Sequence, residues 1–222
     1  MAADTAPVRP LEEADLRRLM VDLGHRLWQR QLVAANDGNL SARLPDGTIL
    51  CTPTGVSKGM LTEGMLSIVT PTGEMLRPGD GPGPSSEIRM HLRVYRVDPT
   101  VGAVVHTHPP YSTVFAIRGE PLRGDLMTET LMTLPEVPVV PFATPGTDEL
   151  PDALQPFIKG RQACLLEFHG ALTWGPSLTE AYLTMERVES LARTTATLRM
   201  LGGERRLSPE RITHVRDRLA MG

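Results

Sequence analysis

Residues 102–108 read GAVVHTH and run directly into Pro109-Pro110. An apolar run this short, opened by a glycine and closed by a proline pair, predicts a strand and excludes a helix of ordinary length. Residues two apart on a strand point to the same face, so His106 and His108 aim at one volume. The chain must therefore build a sheet in which at least one strand ends in polar chemistry.

Other segments read the same way. GTILCTPTG (47–55) alternates like a strand and ends in a turn, and LSIVTPTGEML (66–76) predicts a hairpin about Pro71-Thr72-Gly73. EVPVVPFATPG (136–146) and QACLLEFHGALTWG (162–175) read as two further strands. The second carries His169 where its apolar part ends, with Gly170 behind it to suit a close backbone approach. AANDGNLSARL (34–44) reads as a turn running into a strand. Helical spacing appears over 11–32, over SSEIRMHLRVYRVD (85–98), after Pro109-Pro110, over 177–201 behind Ser177 and Glu180, and from Ser208-Pro209 onward. The connections are too varied for repeated βαβ winding, so an α/β sandwich with a mixed or mainly antiparallel sheet is expected.

A chain of 222 residues that is 41% hydrophobic can bury one core, and a single domain over 1–222 is expected. A net charge of -3 gives no electrostatic footprint for nucleic acid. No apolar run approaches the roughly 20 residues that cross a bilayer. The opening MAADTAPVRPLEEAD lacks a secretory pattern. Cys51 and Cys164 lie inside apolar strands and read as buried thiols of a cytoplasmic protein.

Three strand-end histidines, His106, His108 and His169, fit zinc with an open or exchangeable fourth position. His25 and His214 lie on helices among arginines and read as solvated or capping. Glu87 and His91 are spaced for a helical metal pair, though His91 reads more simply as part of a half-buried face. In GPGPSSEIRMH (81–91), Ser85 or Ser86 would cap a helix and Glu87 would fall in its first turn. Two hydroxyls at a helix start also make an anion site, and the glutamate beside them could be a fourth ligand or a proton shuttle. The turns NDGNLS, with Asn39 and Ser41, and TPTGVSKG, with Thr54, Gly55, Ser57 and Lys58, have the same character. Three such turns could converge on a phosphate.

The ordered set DGNLS, TPTG, PSSE, VVHTH and FHG resembles the class II aldolase/adducin family, from about residue 36 to 170. The resemblance implies a three-layer α/β/α sandwich around a largely antiparallel sheet. It implies a homotetramer with active sites between subunits, and zinc or another divalent transition metal held by His106, His108 and His169. Glu87 would be the metal-adjacent acid/base, and Asn39, Thr54, Gly55, Ser85 and Ser86 would bind the phosphate of a small sugar. The implied activity is cleavage of a fuculose-phosphate-like ketose into dihydroxyacetone phosphate and an aldehyde. One departure stands out. The family's aldolases carry a tyrosine proton donor on the loop after the HTH helix, and RGEPLRGDLMTETLM (118–132) has none. Asp125, Thr128 or Glu129 are the candidate substitutes. The same scaffold also serves sugar-phosphate 4-epimerases, decarboxylases of phosphorylated oxo-acids, thioribulose-phosphate dehydratases and non-enzymatic adducin-type modules. A zinc hydrolase would use the same ligand types.

Overall fold

Alternation along the strands separates the layers. On β5 (Ala103–Thr107), Ala103 and Val105 join one apolar cluster and Val104 joins another. On β9 (Ala163–Leu166), Ala163 and Leu165 go to the first cluster, Cys164 and Leu166 to the second. On β10 (Gly170–Gly175), Ala171 goes to the first, Leu172 and Trp174 to the second. A strand buried on both faces belongs in the middle of a sheet covered on both sides. The structure is a computed structural model that describes residues 11–220. The reading of the N-terminus as leaderless falls largely on residues 1–10, outside them.

The main sheet has eight strands, in the order β4 (Met75–Arg77), β3 (Ser67–Val69), β2 (Ile49–Cys51), β1 (Asn39–Arg43), β5, β10, β9 and β8 (Val139–Val140). Every pairing is antiparallel except β8 with β9. One face carries α1 (Glu13–Gln29), α3 (Pro110–Arg118) and α6 (Leu178–Met200). Their inward residues include Leu16, Met20, Leu27, Phe115, Met185 and Val188. The other face carries α2 (Ile88–Val97) and α5 (Glu149–Leu154), through Met90, Val94, Leu150 and Leu154. The three-layer α/β/α sandwich with a largely antiparallel sheet is therefore the observed fold.

Local rules account for the ends. Ser177 Oγ accepts from the Glu180 N–H at 3.2 Å and starts α6. The turn at 70–74 is closed by Thr70 Oγ1, which accepts from the N–H groups of Thr72 and Glu74. The last helix, α7, spans Pro209–Ala220. At the start of α3, the buried carboxylate of Glu189 accepts from the N–H groups of Tyr111 and Ser112 at 2.9 and 2.8 Å and from Ser112 Oγ at 2.7 Å. These are unsatisfied helix donors, capped from another helix.

Two expected strands divide. The 136–146 segment breaks at Pro138, which has no N–H for a ladder. Its first half, β7 (Glu136–Val137), pairs with β6 (Leu122–Arg123) in a separate two-stranded sheet, while β8 joins the main one. The 162–175 segment is a hairpin of β9 and β10, because Phe168 turns the chain with φ of 55°. The short helices α4 (Thr128–Thr133) and α5 carry too few turns to show a period. Cys51 and Cys164 are free and buried, and burial pushes the Cys51 thiol up to about 12. Among the described residues, no helix is long and apolar enough to cross a membrane.

Candidate active site

The three histidines come from the ends of neighbouring strands. His106 is the fourth residue of β5 and fully buried; His108 lies just past the strand's end. His169 ends the β9–β10 turn, where its N–H donates to the Leu166 carbonyl at 3.0 Å. Glycine lets the two ends approach. A Cβ at Gly170 would stand 2.5 Å from the Thr107 carbonyl oxygen and 2.7 Å from His108 Cδ2. The ring centroids of the three imidazoles are 4.7–4.9 Å apart, and one nitrogen of each lies within 4.8 Å of the other two.

Two of the rings have a partner on the far side, while His169 Nδ1 is buried without one. His106 Nδ1 donates to the Ala171 carbonyl at 2.9 Å, which leaves Nε2 as a lone pair aimed at the cluster. His108 Nδ1 lies 3.4 Å from Asp37 Oδ2, and its Nε2 is 3.1 Å from His106 Nε2. A histidine backed by a carbonyl or carboxylate is the outer-shell pattern of metal ligands. Burial, reinforced by the other two imidazoles, holds His106 well below the ordinary histidine range. Burial also lowers His169. Both rings are therefore neutral at pH 7, the form that binds a cation.

Glu87 completes the group. Its Oε2 is 3.4 Å from His106 Nε2, and its Oε1 is 3.2 Å from His169 Nε2. Asn39, opposite His106 in the β1–β5 register, donates from Nδ2 to Glu87 Oε2 at 2.9 Å and to Ser85 Oγ at 3.3 Å. Glu87 Oε1 is buried without a hydrogen-bond partner. Three imidazoles and a carboxylate with an unsatisfied buried oxygen form a donor set that fits a divalent transition metal.

The hydroxyl turns meet beside this group. The Thr54 N–H donates to the Gly83 carbonyl at 2.9 Å, and the Ser85 N–H to the Thr52 carbonyl at 3.3 Å. These bonds tie the TPTG turn to the PSSE turn. Asn39, Thr54, Gly55, Ser85 and Ser86 all line one cavity of about 240 Å³, together with Glu87, His108 and Asp37. All nine expected site residues thus fall at one corner of the molecule.

Several expectations need correction. Neither Ser85 nor Ser86 is the helix cap. The residue before α2 is Glu87, whose side chain makes no cap bond, while Ser85 Oγ accepts from the Glu87 N–H at 3.3 Å. The carboxylate instead turns toward the imidazoles and Asn39. Ser41 is not in the anion cradle. It lies on β1 with its side chain buried against α2, Oγ 2.8 Å from both His91 Nδ1 and Tyr95 OH. His91 is fully buried rather than half-buried, and lies outside the histidine cluster. Burial lowers it to about 3. His25 Nε2 is 3.2 Å from the Leu61 carbonyl oxygen, so it is not simply solvated, whereas His214 is exposed. Asp125 pairs with Arg206 and Arg123. Thr128 and Glu129 line a different groove, of about 850 Å³, with His214. None of the three substitutes reaches the histidines within this chain's site cavity. Asp37 went unread, because an Asp beside Gly38 is an ordinary turn residue. Gly38 has φ of 75°, and a Cβ there would meet the His106 carbonyl oxygen at 2.8 Å.

The sandwich, with three histidines gathered at one end of its central strands, fits the class II aldolases, which are metal-dependent enzymes. The chain belongs to the Class II Aldolase and Adducin N-terminal domain family, whose model matches residues 18–196. It is 37% identical over 185 residues to the 3-oxo-tetronate 4-phosphate decarboxylase of Escherichia coli strain K12, covering 82% of this chain and 86% of that protein. It is 34% identical over 174 residues to the L-fuculose phosphate aldolase of Methanococcus vannielii, covering 78% of this chain and 91% of that one. The solved structure of YgbL from Klebsiella pneumoniae superposes with a TM-score of 0.84 at 35% identity, over 92% of this chain and 99% of that one.

Proposed function

We propose that the protein is a metal-dependent lyase that removes carbon dioxide from a 3-oxo acid carrying a terminal phosphate. The observation that carries this choice is that the loop expected to bring a tyrosine proton donor places no residue in the cavity. Beyond the histidines, its walls offer two carboxylates, Asp37 and Glu87, and none of residues 118–132. Aldol cleavage needs a base for the hydroxyl on the far side of the breaking bond. Decarboxylation needs none, because its leaving group is already ionised. The similarity to a 3-oxo-tetronate 4-phosphate decarboxylase supports the same choice.

On this reading, Asn39, Thr54, Gly55, Ser85 and Ser86 hold the phosphate. A divalent ion such as zinc, bound at His106, His108 and His169 beside Glu87, would supply Lewis acidity to the oxygen of the 3-oxo group. The carbon–carbon bond breaks with its electron pair moving toward that carbonyl. Glu87 then passes a proton taken from water to the carbon that lost carbon dioxide, with the Asn39 amide keeping the carboxyl in place. Assembly as a cytoplasmic homotetramer with sites between subunits accompanies this reading. Phe142 and Phe168, an exposed T-shaped pair whose second member precedes His169, support a covered edge there.

A second reading, aldol cleavage of a ketose 1-phosphate, is supported by the aldolase relative and by Asp37, a partly exposed carboxylate able to act as the missing base. The test is one panel on metal-loaded protein, containing 3-oxo-tetronate 4-phosphate and L-fuculose 1-phosphate. Carbon dioxide released from the first supports the decarboxylase. An aldehyde from the second without carbon dioxide from the first supports the aldolase. Turnover of neither favours an adducin-type module or a different substrate.

A further inference from the structure

The cavity that receives the phosphate has an electrostatic problem. Among the described residues, its walls carry Asp37 and Glu87 and no lysine or arginine. A phosphate monoester brings close to two negative charges at neutral pH, and hydroxyls alone compensate poorly in a partly desolvated site.

One cation lies immediately behind those walls. Lys58 is 1% exposed and among the largest fully buried side chains. Its Nζ donates to the Val56 carbonyl at 2.6 Å and to the Asn36 carbonyl at 3.3 Å. Val56 follows Thr54-Gly55, and Asn36 opens the turn that carries Asp37, Gly38 and Asn39. The ammonium therefore bridges the two turns that form opposite parts of the cradle. Its stem is held from behind, since a Cβ on Gly24 of α1 would stand 3.8 Å from Lys58 Cβ. Among the described residues it has no ion-pair partner within 4 Å, and both its acceptors are neutral carbonyls. Its charge nonetheless reaches the site. It disfavours protonation of His106, and Asp37 partly offsets the burial that lowers Lys58 itself to about 8. Buried charges are ordinarily paired, and this one faces a site that needs a positive charge.

We propose that Lys58 is a positioning residue that selects a dianionic phosphate: it ties the Asn36–Asn39 and Thr54–Val56 turns together and supplies the fixed positive charge behind them. This rests on the phosphate-binding reading of the cavity. Lys58 does not touch the ligand; it acts through the turns and through its field.

The test compares two ligands of one shape and different charge, 2-phosphoglycolate and its sulfate ester counterpart, by calorimetry on zinc-loaded protein at pH 7. Wild type is expected to prefer the phosphate by on the order of tenfold or more. Lys58→Met should lose most of that preference, weakening the phosphate more than the sulfate, and Lys58→Arg should retain it. Loosened turns alone would weaken both ligands equally, and that result would overturn the proposal. So would equal binding of the two by wild type, a measurement that needs no variant to fold. Binding of neither by wild type would instead remove the phosphate site and, with it, the function proposed above.

Discussion

The side-chain amide of Asn39 donates to Glu87 Oε2 over 2.9 Å, while the other oxygen of that carboxylate stands 3.2 Å from His169 Nε2. Strand β1 thus orients an acid that belongs to the start of α2. If Glu87 moves the proton, Glu87→Gln should lower turnover by about 10²–10⁴-fold, the range of a placed acid or base. Its metal content should stay close to wild type, because the three imidazoles remain. Turnover and metal analysis on the same preparation check this. Unchanged turnover would take Glu87 out of the chemistry.

His106→Ala removes the fully buried member of the cluster and leaves the Ala171 carbonyl without its donor. Zinc affinity is expected to fall by at least about tenfold, since even outer-shell losses cost 10–100-fold, and activity should fall with it. Elemental analysis after dialysis against a weak chelator is the measurement. A variant that kept stoichiometric metal and full turnover would contradict the assignment.

His91 gives the fold an acid limit. Burial lowers it from the ordinary histidine range to about 3, with Ser41, Tyr95, His106 and Glu87 around it. Above the unfolded value of about 6.5, both states hold it neutral and it exerts no pH dependence. Below that value the unfolded chain takes a proton that the folded chain refuses, so stability falls as pH falls from about 6.5 toward 3. The expected slope is about 1.4 kcal/mol per pH unit for this one proton. Urea midpoints between pH 4 and 7 should show His91→Gln to be less steep than wild type by that amount. Parallel slopes would mean that His91 titrates normally.

Glu189 offers a test of packing far from the chemistry. Its buried carboxylate holds the Tyr111 and Ser112 N–H groups at the start of α3. Glu189→Leu should cost about 1–3 kcal/mol by stranding those donors. Thermal unfolding would show it, and metal content should be unchanged below the transition.

The chemistry was legible where it depended on period and turn type. His106 and His108 two apart on a strand, and a glycine behind His169, are readable without coordinates, and all three rings meet. The supporting residues were not readable. A serine at position 41 looks like one more turn hydroxyl, and only the register of β1 against β5 and the packing of α2 show that it points into the core. Glu189 follows Ser112 by 77 residues, and no local pattern connects them. Lys58 sits in a hydroxyl-rich turn where a lysine is usually solvated. Its burial is set by α1 crossing over it, a tertiary fact. The break at Pro138 was visible as a residue but not as a change of sheet.

His106 faces Leu172 near the end of the β5–β10 ladder and His108 and His169 lie just past that end, while the two hydrophobic clusters lie between the layers. Nothing in either interior waits for an ion. Unlike a zinc finger, which has no fold to keep when stripped, this chain rests its fold on two apolar clusters that contain none of the three histidines.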